Sequence, residues 1–112
     1  MAGSLFTARY TGAVAMNIAF APAVAWTLVQ VRVHLSAAGG AVENLTITQD
    51  GGVTANVYDM LLATVAMNAV ADYIYDPPIA PLPFDRTDVL DIVYANTNNR
   101  TYGVEIIFTT RE

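Results

Sequence analysis

From Val29 to Leu35 apolar and polar residues alternate without a break: Val29-Gln30-Val31-Arg32-Val33-His34-Leu35. A period of two belongs to an extended chain, whose successive side chains point to opposite faces. The run therefore predicts a strand with one dry face and one wet face, carrying Gln30, Arg32 and His34 on the wet one. Leu45-Thr46-Ile47-Thr48 repeats the pattern, and Asp50-Gly51-Gly52 follows it as a turn signal.

The rest of the chain is consistent with more strands. In Val53 to Ala71, Leu61, Leu62, Val65 and Met67 could share a helical face. The β-branched residues and tyrosines around them favour one or two strands through Tyr58 and Leu62. Tyr73-Ile74-Tyr75 reads as the end of a strand. Residues 76–85 hold Pro77, Pro78, Pro81 and Pro83, so they are expected to form an extended crossover rather than a central strand. Leu90, Ile92 and Tyr94 share one face, and Tyr102, Val104, Ile106 and Phe108 share another. This predicts a hairpin closed by the polar loop Asn96-Thr97-Asn98-Asn99-Arg100. Two weaker strands precede Trp26, around Leu5–Tyr10 and Ala13–Phe20. Seven or eight short strands at this spacing predict an all-β chain, 1–112, folded as a single antiparallel β-sandwich of the jelly-roll type. Residues 1–25 double as a candidate N-terminal arm. The part through Tyr10 is the expected attachment element, with Met1 pinned against a partner.

Composition narrows the function. Of 112 residues, 54% are hydrophobic and 13% charged, against roughly 25% charged in an average soluble domain. So few charges leave apolar surface for a partner to cover, or else demand a very dense core. Ten acidic residues face five basic ones, all arginine, for a net charge of -5. That argues against nucleic acid, which is bound by neutralising phosphates, and against anionic membranes. The chain has no cysteine, which excludes disulfides, thiolate metal sites and cysteine nucleophiles. An Ala-rich stretch from Arg9 to Ala23-Val24-Ala25 resembles a signal peptide. However, Asn17 and Pro22 interrupt it and Gln30 and Arg32 follow, so neither a signal nor a membrane span is expected.

Candidate chemistry is thin. His34 is the single histidine, with no second ligand or nucleophile in its pattern. Ser4 and Ser36 lie in no nucleophile-elbow motif. Asp85, Asp88 and Asp91 recur every three residues but lack the glycine turn and terminal glutamate of an EF-hand loop; a calcium site would need Asp50, Asp59 or Asp76 as well. No spacing among the ten carboxylates selects a glycosidase pair. Asn44-Leu45-Thr46 and Asn99-Arg100-Thr101 match the glycosylation pattern by chance in a chain read as lacking a signal. Tyr73, Tyr75, Tyr94, Tyr102 and Trp26 suit core or interface anchors better than a sugar platform. No enzyme activity, cofactor or metal is expected.

The order of strands Leu28–Leu35, Glu43–Thr48 and Val57–Leu62, with the tail Asp88–Asn96 and Arg100–Ile106, resembles small jelly-roll virion proteins of tailed phages, of the capsid decoration (cement) type. The resemblance covers about residues 26–108 and rests on strands and turns. It implies a bacteriophage structural protein on the outer surface of the capsid, which binds the major capsid protein and forms a homotrimer. No binding residues carry over by motif; from the chain's own wet strand face, polar loop and few cations, the residues expected at its contacts are Arg9, Arg32, His34, Asn98, Asn99 and Arg100. The alternative is a receptor- or glycan-binding module of a phage tail or fibre, using the Asn96–Arg100 loop and a nearby tyrosine.

Overall fold

The computed structural model describes residues 4–53, 57–79 and 81–111. The expectation about Met1, and the part of the 53–71 reading that falls on residues 54–56, lie outside the described residues. Among the described residues nine strands follow in order: β1 (Phe6–Gly12), β2 (Met16–Phe20), β3 (Trp26–Leu35), β4 (Asn44–Asp50), β5 (Met60–Ala66), β6 (Asp72–Tyr75), β7 (Leu82–Phe84), β8 (Val89–Tyr94) and β9 (Tyr102–Thr110). All pairings are antiparallel.

The pairings are nested. β1 pairs with β9, β2 with β8, β3 with β6 and β7, and β4 with β5. The chain is thus one long hairpin with its tip between β4 and β5. Rolling that hairpin brings β3 against β9 and β4 against β8. Two sheets result, ordered β1-β9-β3-β6 and β2-β8-β4-β5, with β7 continuing the line of β6 along β3. This is a jelly roll, the fold class expected from the strand spacing.

Side-chain alternation decides what the sheets enclose. Met16, Ile18 and Phe20 of β2, Leu45 and Ile47 of β4, and Leu90, Ile92 and Tyr94 of β8 are buried from one sheet. Val31, Val33, Leu35, Tyr102, Val104 and Ile106 meet them from the other. Trp26 anchors one end: its ring stacks on Phe84 at 4.1 Å and meets Phe20 edge-on at 5.1 Å. Such aromatic pairs add stabilisation beyond burial alone.

Several local expectations change. β8 and β9 do not pair with each other; each lies in a different sheet. Both inward faces are as read, but the loop between them crosses the sandwich rather than closing a hairpin. The Pro-rich segment does form a short strand, β7. It sits at the sheet edge, where Pro83 need not donate to a ladder. β5 begins at Met60, and Tyr58 lies in the preceding turn. The register of β3 slips between Leu28 and Gln30. Val29 is the extra residue of a β-bulge, so Trp26 and Leu28 face inward as well as Val31, Val33 and Leu35. Residues 6–20, flagged as a candidate arm, form β1 and β2.

Candidate functional site

The outward face of the β1-β9-β3-β6 sheet carries most of the charge brought together by the fold. Register sets its rows. Arg9, Glu105, Arg32 and Ile74 stand side by side on four strands, and Thr11, Gly103, His34 and Asp72 form the adjacent row. Glu105 sits between the arginines. Its Oε2 accepts from Arg9 Nε at 2.7 Å, and its Oε1 lies 3.5 Å from Arg32 Nη1. Arg32 Nε also donates to Gln30 Oε1 at 2.8 Å, and Gln30 Nε2 donates to Asp76 Oδ1 at 2.8 Å. His34 Nδ1 and the Asp72 carboxylate form a close hydrogen bond. Such pairs in water contribute little stability, about 0–1 kcal/mol each. What they fix is side-chain placement.

Beside these rows is a depression of about 440 Å³ lined by Arg9, Tyr10, Thr11, Arg32, His34, Gly103, Val104 and Glu105. Its floor is open because Gly103 has no side chain and no atom within 4 Å of where a Cβ would sit. The fold therefore gathers Arg9, Arg32 and His34, three of the expected contact residues, around one feature. Glu105 and Gly103 were not anticipated. The one sequence signal was a glycine inside a strongly alternating strand, which marks either a bulge or a close approach.

Asn98, Asn99 and Arg100 lie elsewhere, in the β8–β9 crossover; Asn98 and Asn99 are exposed and Arg100 is half-buried, and the side chains of Asn98 and Arg100 bond back onto this chain. Asn98 Nδ2 donates to Gly39 O at 2.8 Å, and Arg100 Nε donates to Ala38 O at 2.9 Å. Asn99 adopts a φ of 52° and its N–H donates to Asn96 O at 2.9 Å. Asn96 is 2% exposed; its Nδ2 donates to Val14 O and Arg100 O, and its Oδ1 accepts from Arg100 N, all at 2.9 Å. Glu43 accepts from both Thr97 N and Thr97 Oγ1. The loop is thus a clamp that ties residue 14, residues 38 and 39, and Glu43 to the crossover.

The other candidate groups have structural work. Asp88 accepts from Asp85 N at 3.0 Å and Gly52 N at 3.3 Å, and Asp59 accepts from Gly51 N at 3.0 Å. Ser36 Oγ accepts from Thr101 N at 3.0 Å. Among the described residues no three His, Asp or Glu side chains converge. Trp26, Tyr75, Tyr94 and Tyr102 are buried, so they offer no stacking platform.

A second surface lies where the two sheets part, between β5 and β7. A groove of about 890 Å³ there is lined by Tyr58, Met60, Leu62, Leu82 and Pro83, with Asp85, Asp88 and Arg111 at its rim. Around it Val53, Val57, Tyr58, Met60 and Leu61 are each 57–66% exposed.

Neither a protein-family model nor a curated protein sequence matches the chain. Among solved structures, it is similar to one of infectious bursal disease virus, Gt strain, at 16% identity and a TM-score of 0.39, over 96% of this chain and 31% of the other. It is also similar to one of the Gx strain of the same virus, at 15% identity and a TM-score of 0.40, over 98% of this chain and 30% of the other. The chain thus spans less than a third of the length of those it matches.

Proposed function

We propose that this chain is a structural protein of a virion, of the capsid decoration (cement) type. It sits on the outer surface of the shell, binds the major capsid protein and associates with copies of itself as a homotrimer. The observation that supports this reading is the exposed apolar lining of the β5–β7 groove at Val53, Tyr58 and Met60, with Val57 and Leu61 also exposed close by in the chain. A sparsely charged domain with that much apolar surface in one place is built to be covered by protein. Repeating one such contact by symmetry around a shell sums many modest affinities. A single specific contact buries about 800 Å² per partner. The tail- or fibre-module reading has less support, because its loop is tied down and its aromatic residues are buried.

The test is sedimentation of the purified chain with intact capsid shells. Saturable binding at a fixed ratio of chain to shell subunit is the expected result. A chain left in the supernatant at tens of micromolar would overturn the proposal.

A further inference from the structure

Six of the seven glycines fall among the described residues, and five of these are there for steric reasons. A Cβ at Gly12, Gly39, Gly40, Gly51 or Gly52 would come within 2.0–2.8 Å of a neighbouring atom. Gly40 also has a φ of +83°. Gly103 has neither reason: its φ is not positive, and a Cβ would meet nothing within 4 Å. Yet it sits inside β9, paired on both sides, with Thr11 on β1 and His34 on β3. Glycine inside a strand costs about 0.5–1 kcal/mol relative to alanine, and it often marks a bulge, a tight bend or a place where a ligand or another backbone approaches; the register through Gly103 is unbroken on both sides, so it marks no bulge here.

The surrounding groups define that molecule. Arg9 uses Nε on Glu105, and Arg32 uses Nε on Gln30 and one Nη on Glu105. A guanidinium has five N–H donors, so most donors of both arginines have no acceptor among the described residues. Their side chains are 76% and 54% exposed. Two forks around one carboxylate match a second carboxylate, which guanidinium groups bind in bidentate fashion. A polyanion is disfavoured by the net charge of -5, whereas a single carboxylate is drawn in by the local pair.

We infer that the Gly103 notch receives an Asp or Glu side chain from a protein partner, held by Arg9 and Arg32, with the missing side chain at Gly103 giving it access to the sheet. The inference concerns a different face from the β5–β7 groove and stands whether or not the partner is a capsid protein.

The test is titration of the isotope-labelled full-length chain with N-acetyl-glutamate amide, followed by amide shifts. Shifts centred on Gly103, Thr11 and Arg32 are expected. The glutamine analogue should bind at least about tenfold more weakly, as should the variants Gly103→Val and Arg32→Gln. Gly103→Val should keep or raise the melting temperature, because its Cβ enters open space. Equal binding of the glutamine analogue, or unchanged binding by Gly103→Val, would overturn the inference. So would a fall in melting temperature for Gly103→Val like that of a core truncation, since the glycine would then have an internal reason. These results are independent of shell binding, so either proposal can fail alone.

Discussion

Tyr94 shows how one position can carry a cost inside a good core. It is 1% exposed, its hydroxyl has no hydrogen-bond partner, and it packs where Gly39 leaves room. A Cβ at Gly39 would lie 2.3 Å from Tyr94 Oη and 2.7 Å from Met67 O. Gly39→Ala should therefore destabilise by about 1–3 kcal/mol, and by less in a Tyr94→Phe background, because the two changes share one space. Tyr94→Phe alone should be neutral or stabilising at pH 7, since it removes a buried hydroxyl without a partner; a loss above about 2 kcal/mol would show that the hydroxyl is satisfied. Burial raises the Tyr94 pKa, with Glu43 adding to the rise and Arg100 opposing it. Burial raises those of Tyr10, Tyr73 and Tyr75 as well. In the unfolded chain tyrosine ionises near pH 10, before the folded chain does. Stability is then fully present below about pH 10 and falls as the pH rises toward the folded-state values. Denaturant titrations from pH 8 to 11 should show that fall, with a shallower slope in Tyr94→Phe.

The β8–β9 crossover is held as firmly as a strand. Asn96→Ala removes three hydrogen bonds of a buried side chain, two of them to the carbonyls of Val14 and Arg100, at a position with a φ of 52°. It should cost about 2–3 kcal/mol in chemical denaturation. Arg100→Ala removes the bond to Ala38 O and should lower stability by about 1 kcal/mol, a loss that a solvated, dispensable loop would not show. At the opposite end β7 is only three residues long, yet it brings Phe84 onto Trp26. Phe84→Ala should cost about 3–5 kcal/mol, far more than ladder bonds from so short an edge strand would suggest.

The two outer surfaces differ in chemistry: one is an apolar edge at β5 and β7, the other the charged face of the β1-β9-β3-β6 sheet. Tyr58 and Leu61 are more than half exposed, so replacing both with lysine should leave stability within about 1 kcal/mol. If the β5 edge joins copies of the chain, light scattering should show the double variant dissociating at concentrations where the parent chain associates. The change also moves the net charge from -5 to -3, which reduces general repulsion, so dissociation would have to come from the lost apolar contact. An oligomer unchanged by the pair would place the contact elsewhere.

Period-two alternation made the dry faces legible. Val31, Val33, Leu35, Leu45, Ile47, Leu90, Ile92, Tyr94, Tyr102, Val104 and Ile106 were readable as inward from sequence alone, and all are buried. Alternation is local, because each side chain's direction follows from its own backbone, and so a short window carries it. It does not say which strand lies alongside. β8 and β9 look like a hairpin in sequence because their faces match, but rolling the long hairpin puts β3 and β4 in the places each would have offered the other. The bulge at Val29 was illegible for a similar reason, since it exists only relative to the register of β9. Arg32 and His34 could be assigned to a wet face from their own strand. Arg9, Glu105 and Gly103 joined them through pairings among β1, β9 and β3, which are distant in the chain. The identity of Asn98 and Arg100 as polar loop residues was plain from sequence. Whether their donors met water or the carbonyls of residues 38 and 39 was settled by which loop the sandwich folded against them. The sequence determined the strands, their inward faces and the shortage of charge. Tertiary structure decided the partners, because pairing and packing are contests between segments that no local pattern records.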